Sequence, residues 1–240
     1  MGGVRSPESS EARERLLQQL GERILKITLN HPTRVAIDGV DGSGKTFIAD
    51  ELAKKLRASG RQIIRVSVDK FHNPRIVRYQ KGRSSPEGYY ADSFNNTLVI
   101  ENVLRPLGPN GDRKFKSAAF DYKNDTEIIA PVETAEPNAI LLMDGIFLQR
   151  PELADYWDLK ILLDVDFEHT VARAVKRDAS FGGSEQEIEK VYDERYVPGQ
   201  RLYFEKVDPK AAADIVIDNT DFKNPRFVKD IADPGATTRH

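Results

Sequence analysis

The residues with the clearest chemical purpose lie at positions 39–46, where the sequence is Gly-Val-Asp-Gly-Ser-Gly-Lys-Thr. This segment matches the pattern Gly-x-x-x-x-Gly-Lys-Ser/Thr and stands between a short apolar run and a segment with helical periodicity. Small residues let backbone N–H groups surround phosphate oxygens, and the start of the following helix adds positive potential. We expect Lys45 to reach the β and γ phosphates of a nucleoside triphosphate and Thr46 to bind Mg²⁺ through its hydroxyl. The residues assigned to this nucleotide site are Gly39, Asp41, Gly42, Ser43, Gly44, Lys45 and Thr46.

Two aspartates end predicted strands and are candidates for the chemistry beside the phosphates. Asp144 ends the apolar run at 139–144 and is expected to hold Mg²⁺ or its waters. Asp69 follows the run at 62–68, which we expect next to the phosphate loop, and could accept the proton of an attacking hydroxyl. For both residues, the alternative is an acid that only caps a strand and starts a turn.

Cations downstream indicate a lid over residues 173–200. Arg173 and Arg177 belong to a predicted helix that is followed by Gly182 and Gly183. Cations beside a flexible Gly-Gly segment suit a lid that closes over phosphates and excludes water. The alternative is a solvated helix face whose charges compensate the helix dipole.

Three further side chains are weaker candidates. Arg195 and Arg201 either face phosphate or form surface salt bridges. His72 lies three residues after Asp69, and the histidines show no metal-binding spacing such as His-Glu-x-x-His. A loop histidine without a special role is the alternative for His72.

The elements that must position these side chains alternate between strand and helix, which is typical of an α/β fold with a doubly wound parallel sheet. In such a sheet the ligand binds at the carboxyl ends of the strands. A β-hairpin predicted at 113–132, turning at 123–125, belongs to an insertion at 70–138 that we expect to hold the acceptor. We expect one domain over residues 1–240, with flexible ends at 1–10 and 233–240. The predicted strands cover 34–38, 62–68, 139–144, 159–164 and 214–218, and the predicted helices cover 11–29, 46–59, 93–104 and 170–179.

Composition excludes several classes of function. The chain has 240 residues, 39% of them hydrophobic, and a net charge of -2, which gives no general attraction for nucleic acid. It has no cysteine, which removes thiolate catalysis and fits a reducing compartment. No apolar run is long enough for a membrane span, so we expect a cytoplasmic protein with a small-molecule partner. A homo-oligomer is left open.

Further segments carry a resemblance to a known family. They are Val-Asp-Lys-Phe-His-Asn-Pro around Asp69, Tyr90-Ala91-Asp92-Ser93-Phe94, Ala119-Phe120-Asp121-Tyr122, Asp144-Gly145-Ile146, Arg177-Asp178 and Ile-Val-Ile-Asp-Asn at 215–219. Together with the phosphate loop, they make residues 34–219 similar to the uridine kinase and phosphoribulokinase-like group of P-loop small-molecule kinases. The resemblance implies an ATP-dependent kinase with a P-loop fold that acts on an alcohol. It also implies that Asp69 is the catalytic base, that Arg177 is the lid arginine and that Asn219 lies where relatives often contact adenine.

The departures from this family concern the acceptor more than the chemistry. Uridine-cytidine kinases usually carry Asp-His-Pro where this chain has Tyr89-Tyr90-Ala91, so an acid expected on the ribose is absent. The hairpin histidine that reads the pyrimidine corresponds to Asp125, and the aromatic residue before the hairpin aspartate is Phe120 instead of tyrosine. The lid lacks an arginine-rich Arg-Gly-Arg segment. The candidate substrate contacts are His72, Tyr90, Phe120 and Arg201.

Several functions remain open at this level. The first is a kinase for a nucleoside, with uridine ahead of a sugar, a sugar phosphate or a pantothenate-like alcohol. The second is a nucleoside monophosphate kinase, although no Asp-Arg-Tyr segment follows the third predicted strand. The third is a nucleotide-binding switch, which would not need an acid such as Asp69 beside an acceptor pocket.

Overall fold

The computed structural model describes residues 10–179 and 184–231 of the chain. The ends predicted to be flexible, 1–10 and 233–240, lie outside the described residues except for Ser10. Gly182 and Gly183 of the predicted lid also lie outside them.

The central sheet of the described residues contains six strands in the order β10-β9-β8-β1-β7-β2. All neighbours in this sheet are parallel except β9 and β10. The α/β class and the mainly parallel sheet predicted from the sequence are therefore confirmed. The strands are β1 (Thr33–Gly39), β2 (Ile63–Ser67), β3 (Lys114–Phe115), β4 (Phe120–Asp121), β5 (Thr126–Glu127), β6 (Glu133–Thr134), β7 (Ile140–Gly145), β8 (Leu159–Asp164), β9 (Ile215–Asp218) and β10 (Arg226–Asp230).

Two features of the sheet differ from the sequence prediction. The antiparallel strand β10 was not predicted, because its sequence Arg-Phe-Val-Lys-Asp is largely polar and the strand stays partly exposed at the sheet edge. Strand β2 was expected beside the phosphate loop, but β7 lies between β2 and β1. The residues after β2 therefore approach the loop from one strand further away.

Helices cover both faces of the sheet, and alternate residues of β1 pack into different layers. Val35 and Ile37 pack with helices α1 and α2, whereas Ala36 packs with the layer on the opposite face. Fully burying one leucine, such as Leu52 in α2, contributes about 1.5 to 3 kcal/mol relative to leaving it exposed. The α-helices are α1 (Glu11–Leu25), α2 (Lys45–Arg57), α3 (Arg75–Arg78), α4 (Pro86–Asp92), α5 (Asn96–Val99), α6 (Pro151–Ala154), α7 (Phe167–Ala179), α8 (Glu185–Val191), α9 (Val197–Val207) and α10 (Pro209–Ala212).

The insertion between β2 and β7 contains the predicted hairpin in a smaller form. Strands β4 and β5 pair across a turn in which Asp125 has a φ of 57°, and β3 and β6 pair outside it. The helix predicted at 93–104 begins at Asn96, because the Asn95 side chain accepts a hydrogen bond from the Leu98 N–H and caps it. It continues as a π-helical turn, Ile100–Leu104, while α4 was not predicted.

Among the helices in 10–179 and 184–231, none combines the length and the apolar composition needed to cross a bilayer.

Candidate functional site

The loop between β1 and α2 has a backbone that only glycine can supply at two positions. Gly42 has a φ of 77° and Gly44 a φ of 88°. A Cβ atom at Gly42 would lie 2.4 Å from the Thr170 carbonyl oxygen, and one at Gly44 would lie 2.7 Å from the Phe222 ring. The loop also brings Ser43 close to Gly39, where a Cβ atom would lie 2.6 Å from the Ser43 hydroxyl. The loop is therefore held in one tight conformation at the start of α2, as a phosphate cradle requires.

The two predicted Mg²⁺ residues meet at the end of this loop. The Thr46 hydroxyl donates to Asp144 Oδ2 at 2.7 Å, and the Asp144 side chain is buried. A hydroxyl and a carboxylate oxygen are donors that Mg²⁺ accepts, usually together with water and substrate phosphates. The residues therefore fit the ion that the nucleotide site implies. Within the described ranges, no group of three or more His, Cys, Asp or Glu side chains is arranged around a potential metal position.

Arg65, which sequence reasoning missed, orients Asp144. Its guanidinium donates to Asp144 Oδ1 at 2.8 Å and to the Leu142 carbonyl at 2.7 Å, and it also contacts Asp50. Because Arg65 occupies one carboxylate oxygen, the other stays directed at Thr46. The available signal was a single charge inside the apolar run Gln-Ile-Ile-Arg-Val-Ser-Val.

Lys45 lies within the loop that it is predicted to serve. Its ammonium group donates to the Val40 carbonyl at 3.2 Å and lies 4.0 Å from Asp41 Oδ1. The side chain is 13% exposed, so the ammonium group is partly shielded from water and its charge acts strongly on nearby groups.

Asp69 belongs to a single 3₁₀ turn after β2 instead of ending the strand. Solvent reaches the side chain, yet enough protein surrounds the carboxylate that desolvation raises its pKa. His72 and Lys45 oppose this rise in the pKa of Asp69, whereas Asp41 and Asp144 add to it. The structure thus brings Asp69 within electrostatic reach of the loop lysine and the buried metal-site aspartate.

His72, three residues after Asp69, is packed between two aromatic rings. Its ring centroid lies 4.5 Å from that of Phe94 and 4.6 Å from that of Tyr122, and Nδ1 lies 3.0 Å from the Asp69 carbonyl oxygen. Desolvation lowers the pKa of His72 and Arg78 lowers it further, while Asp69 raises it. With a lowered pKa, His72 is neutral at pH 7 and can donate from one nitrogen and accept at the other.

Asp41 links the phosphate loop to helices α4 and α9. Its Oδ2 accepts from the Tyr89 hydroxyl at 2.8 Å and from Gln200 Nε2 at 2.9 Å. Tyr89 belongs to α4 and Gln200 to α9, and neither role was foreseen from the sequence. Tyr89 stood out only as part of a departure from the family.

A second carboxylate, Asp38, lies beneath the loop in β1 and is completely buried. It accepts from Gly39 N at 2.8 Å, from Gln149 Nε2 at 3.1 Å and from the Tyr203 hydroxyl. Burial raises the pKa of Asp38, and the hydrogen bonds from Tyr203, Gln149 and Gly39 oppose that rise. The network fixes the end of β1, where the loop begins, to helix α9.

We expect Tyr203→Phe to lower the free energy of unfolding by about 1 to 3 kcal/mol, because it leaves a buried carboxylate oxygen with one donor fewer. Denaturant unfolding of the wild type and the variant measures the difference. Tyr156→Phe, in a half-buried tyrosine outside this network, is the control. Equal stabilities for Tyr203→Phe and Tyr156→Phe would show that the Tyr203 hydroxyl does not support Asp38.

Asn219 contacts the phosphate loop, and Arg173 contacts residues that follow Asn219 in the sequence. The Asn219 side chain is completely buried and donates to the Ser43 carbonyl at 2.7 Å. It therefore fixes the loop, and the contact with adenine that the family resemblance implies stays a prediction. The Arg173 guanidinium lies 3.9 Å from the centroid of the Phe222 ring and donates to the Thr220 carbonyl.

Two other arginines of the predicted lid contact groups within the protein, and the lid role of Arg177 stays a prediction. Arg177 forms an ion pair with Asp178 at 2.7 Å and donates to the Tyr192 hydroxyl at 3.3 Å. Arg195 was expected to face phosphate or form a surface salt bridge. It is instead 3% exposed and donates to backbone carbonyls between Arg78 and Ser85, which fixes that segment. A planar guanidinium with several donors suits such multiple carbonyl contacts.

The remaining substrate candidates have different neighbours. Phe120 is buried at the base of the hairpin. Tyr90 is buried beside Arg150, whose guanidinium lies 4.6 Å from its ring centroid. Arg201 lies 4.8 Å from the Phe167 ring centroid, in a groove between α7, α8 and α9. These contacts do not join the three side chains into one pocket.

Comparisons with known proteins identify the family of this chain. The family model described as phosphoribulokinase / uridine kinase family matches residues 35–223. A uridine kinase from Leuconostoc citreum is 27% identical over 188 residues, which cover 78% of this chain and 87% of the relative.

Solved structures with low identity share the fold. The structure of a possible uridine kinase from Bacillus stearothermophilus has a TM-score of 0.67 at 22% identity, covering 85% of this chain and 97% of that one. A D-glycerate 3-kinase from Cryptococcus neoformans has a TM-score of 0.56 at 15% identity, covering 78% and 88%. Because the family model spans most of the sequence, the chain belongs to the phosphoribulokinase / uridine kinase family.

Proposed function

We propose that this protein transfers the γ-phosphoryl group of ATP, with Mg²⁺, to a hydroxyl group of a small molecule, and that a nucleoside such as uridine is the first acceptor to test. The family consists of kinases, which makes a phosphotransferase the starting point. The observation that carries the proposal is the position of the Asp69 carboxylate. The charges of Lys45 and Asp144 affect its pKa, which supports a role for Asp69 as a base that works with a phosphate-binding lysine and an acid at the Mg²⁺ site.

The reaction assigns a separate task to each of these groups. The loop amides and Lys45 bind the phosphates and stabilise the charge that develops on them. Thr46 and Asp144 would hold Mg²⁺, which supplies further neutralisation of phosphate charge when bound. Asp69 accepts the proton of the acceptor hydroxyl as its oxygen attacks the γ phosphorus, and the bond to the departing ADP breaks.

The raised pKa of Asp69 suits this role. A carboxylate stabilised by strong ion pairs would be a weak base, whereas desolvation makes the Asp69 carboxylate a better proton acceptor. Neutral His72 next to it can position the acceptor through a hydrogen bond at pH 7.

The acceptor need not be a pyrimidine nucleoside. Asp125, which stands where uridine kinases read the base, is engaged within the protein by Arg78 at 3.2 Å and by the backbone N–H of Arg75 at 2.8 Å. A D-glycerate 3-kinase is among the structures with this fold, so alcohols other than nucleosides belong among the candidates.

A panel of acceptors tests the proposal. The protein is incubated with ATP and Mg²⁺ and with uridine, cytidine, ribose, sugar phosphates, glycerate or pantothenate, and ADP release is measured above the acceptor-free background. We expect at least one acceptor to raise ADP release, with uridine first. If no acceptor raises ADP release although ATP binds, a nucleotide-binding role without phosphotransfer would replace this proposal.

A further inference from the structure

Asp41 is a carboxylate inside a loop whose other features attract anions. The backbone amides, the start of α2 and Lys45 all favour phosphate, while a negative charge at Asp41 opposes it. The Lys45 ammonium group lies 4.0 Å from Asp41 Oδ1, so the positive and negative charges only partly cancel. Phosphate binding alone therefore gives no reason for an acid at this position.

The partners of Asp41 come from the acceptor and lid elements. Both anchoring donors are uncharged: the Tyr89 hydroxyl at 2.8 Å and Gln200 Nε2 at 2.9 Å. Tyr89 is 7% exposed and Gln200 1% exposed, so both donors are fixed in the protein interior. Because both donate to Oδ2, that oxygen is fixed, and the Asp41 side chain still keeps 21% of its surface exposed.

Asp41 also lies close to the predicted base. Its charge raises the pKa of Asp69 and of His72, so Asp41 is close enough to both side chains to interact with them electrostatically. Tyr89 approaches the same carboxylate from α4, and α4 belongs to the insertion expected to hold the acceptor.

We infer that Asp41 is a specificity-determining residue whose carboxylate accepts a hydrogen bond from a second hydroxyl of the acceptor, while Asp69 accepts the proton of the hydroxyl that is phosphorylated. The acceptor class is therefore a polyol, such as a ribose-containing nucleoside or a sugar, and not an alcohol with one hydroxyl. This inference rests on the proposed kinase function and adds the acceptor class to it.

The experiment combines the substitution Asp41→Asn with the removal of hydroxyl groups from the acceptor. Initial rates are measured with uridine and with 2′,3′-dideoxyuridine, which keeps the 5′-hydroxyl but lacks the other two. If the panel selects a sugar, ribose and 2-deoxyribose take their place. We expect Asp41→Asn to lower kcat/KM for the full acceptor about 10- to 100-fold, because a hydrogen bond to a charged group is lost. With the deoxy acceptor, the same substitution should change kcat/KM by less than about threefold, because the hydroxyl that it would bind is already absent.

Two further variants serve as a second probe and as a control. Tyr89→Phe removes one anchor of Asp41 and should show a smaller loss with the same dependence on the acceptor. Glu87→Gln removes an exposed carboxylate from the same helix α4 and should leave the rates unchanged. Thermal unfolding of each variant confirms that the fold is retained.

A direct binding measurement separates the inference from a role in nucleotide binding. Asp41→Asn should bind Mg·ATP at least as tightly as the wild type, because a charge that repels phosphate has been removed. Affinity for ATP weakened more than about tenfold, or equal losses with the full and the deoxy acceptor, would overturn the inference and leave the kinase proposal standing. No turnover with any acceptor would instead remove the proposed function, and the acceptor role of Asp41 with it.

Discussion

Lys45→Ala is expected to lower the rate of phosphoryl transfer by at least about a thousandfold, because the loop loses the only ammonium group that its sequence supplies. The fold should persist, since the Lys45 ammonium group contacts the Val40 carbonyl at 3.2 Å and Asp41 at 4.0 Å, both within the same loop. Alanine also favours the start of helix α2. The measurement is ADP release at saturating acceptor, together with binding of a fluorescent ATP analogue.

The control for this substitution is Lys54→Ala, which removes an exposed lysine from the same helix. Its rate and its ATP affinity should equal those of the wild type. If Lys45→Ala retained wild-type ADP release, the assignment of the phosphate site to residues 39–46 would be wrong.

Sequence reasoning located the parts of the fold that follow from local pattern. Strand β8 was predicted with the bounds Leu159–Asp164 that it has in the structure, because a continuous apolar run is bounded by polar residues. Strand β10 escaped detection, since pairing with β9 and not its own sequence makes it a strand. The order of β7 between β1 and β2 could not be read from residue types, because it depends on which strands pair.

In the candidate site, too, only the residues that belong to a local pattern could be predicted. Residues that act within a contiguous motif were predictable, since the loop glycines and Lys45 follow from one pattern. The positions of Asp144 near the end of β7 and of Asp69 just after β2 were predictable, because both lie at the carboxyl ends of strands. The groups that hold them come from distant positions: Gln200 is 159 residues from Asp41, and Arg65 is 79 residues from Asp144. No local pattern connects such pairs, so one sequence could not reveal them.

Helix α9 contacts both the phosphate loop and the strand β1 beneath it. One turn of this helix presents Gln200 to Asp41 in the phosphate loop and Tyr203 to Asp38 beneath it. The π-helical turn before α9, Tyr192–Tyr196, supplies Arg195, which donates to carbonyls of the segment that leads into α4. A displacement of α9 would therefore move the phosphate loop and the segment that leads into α4 together.

Asp69→Asn is expected to lower the turnover of acceptor phosphorylation at least about a hundredfold while leaving ATP affinity within about threefold of the wild type. Asparagine keeps the size of the side chain but cannot accept the proton that leaves the acceptor hydroxyl. In wild type, the rate should decline toward acid pH as Asp69 becomes protonated. This decline should lie above the pKa range of an ordinary aspartate, because desolvation raises the pKa of Asp69.

The pH dependence distinguishes a base from a residue that only shapes the site. The residual rate of Asp69→Asn should lose the decline toward acid pH, because the group that titrates there has been removed. Asp155→Asn, an exposed aspartate at the end of α6, should keep both the rate and the pH profile. If Asp69→Asn turned over the acceptor as fast as the wild type, or kept the same acidic decline, another group would have to take the proton. Neutral His72, which lies 3.0 Å from the Asp69 backbone, would then be the first residue to test.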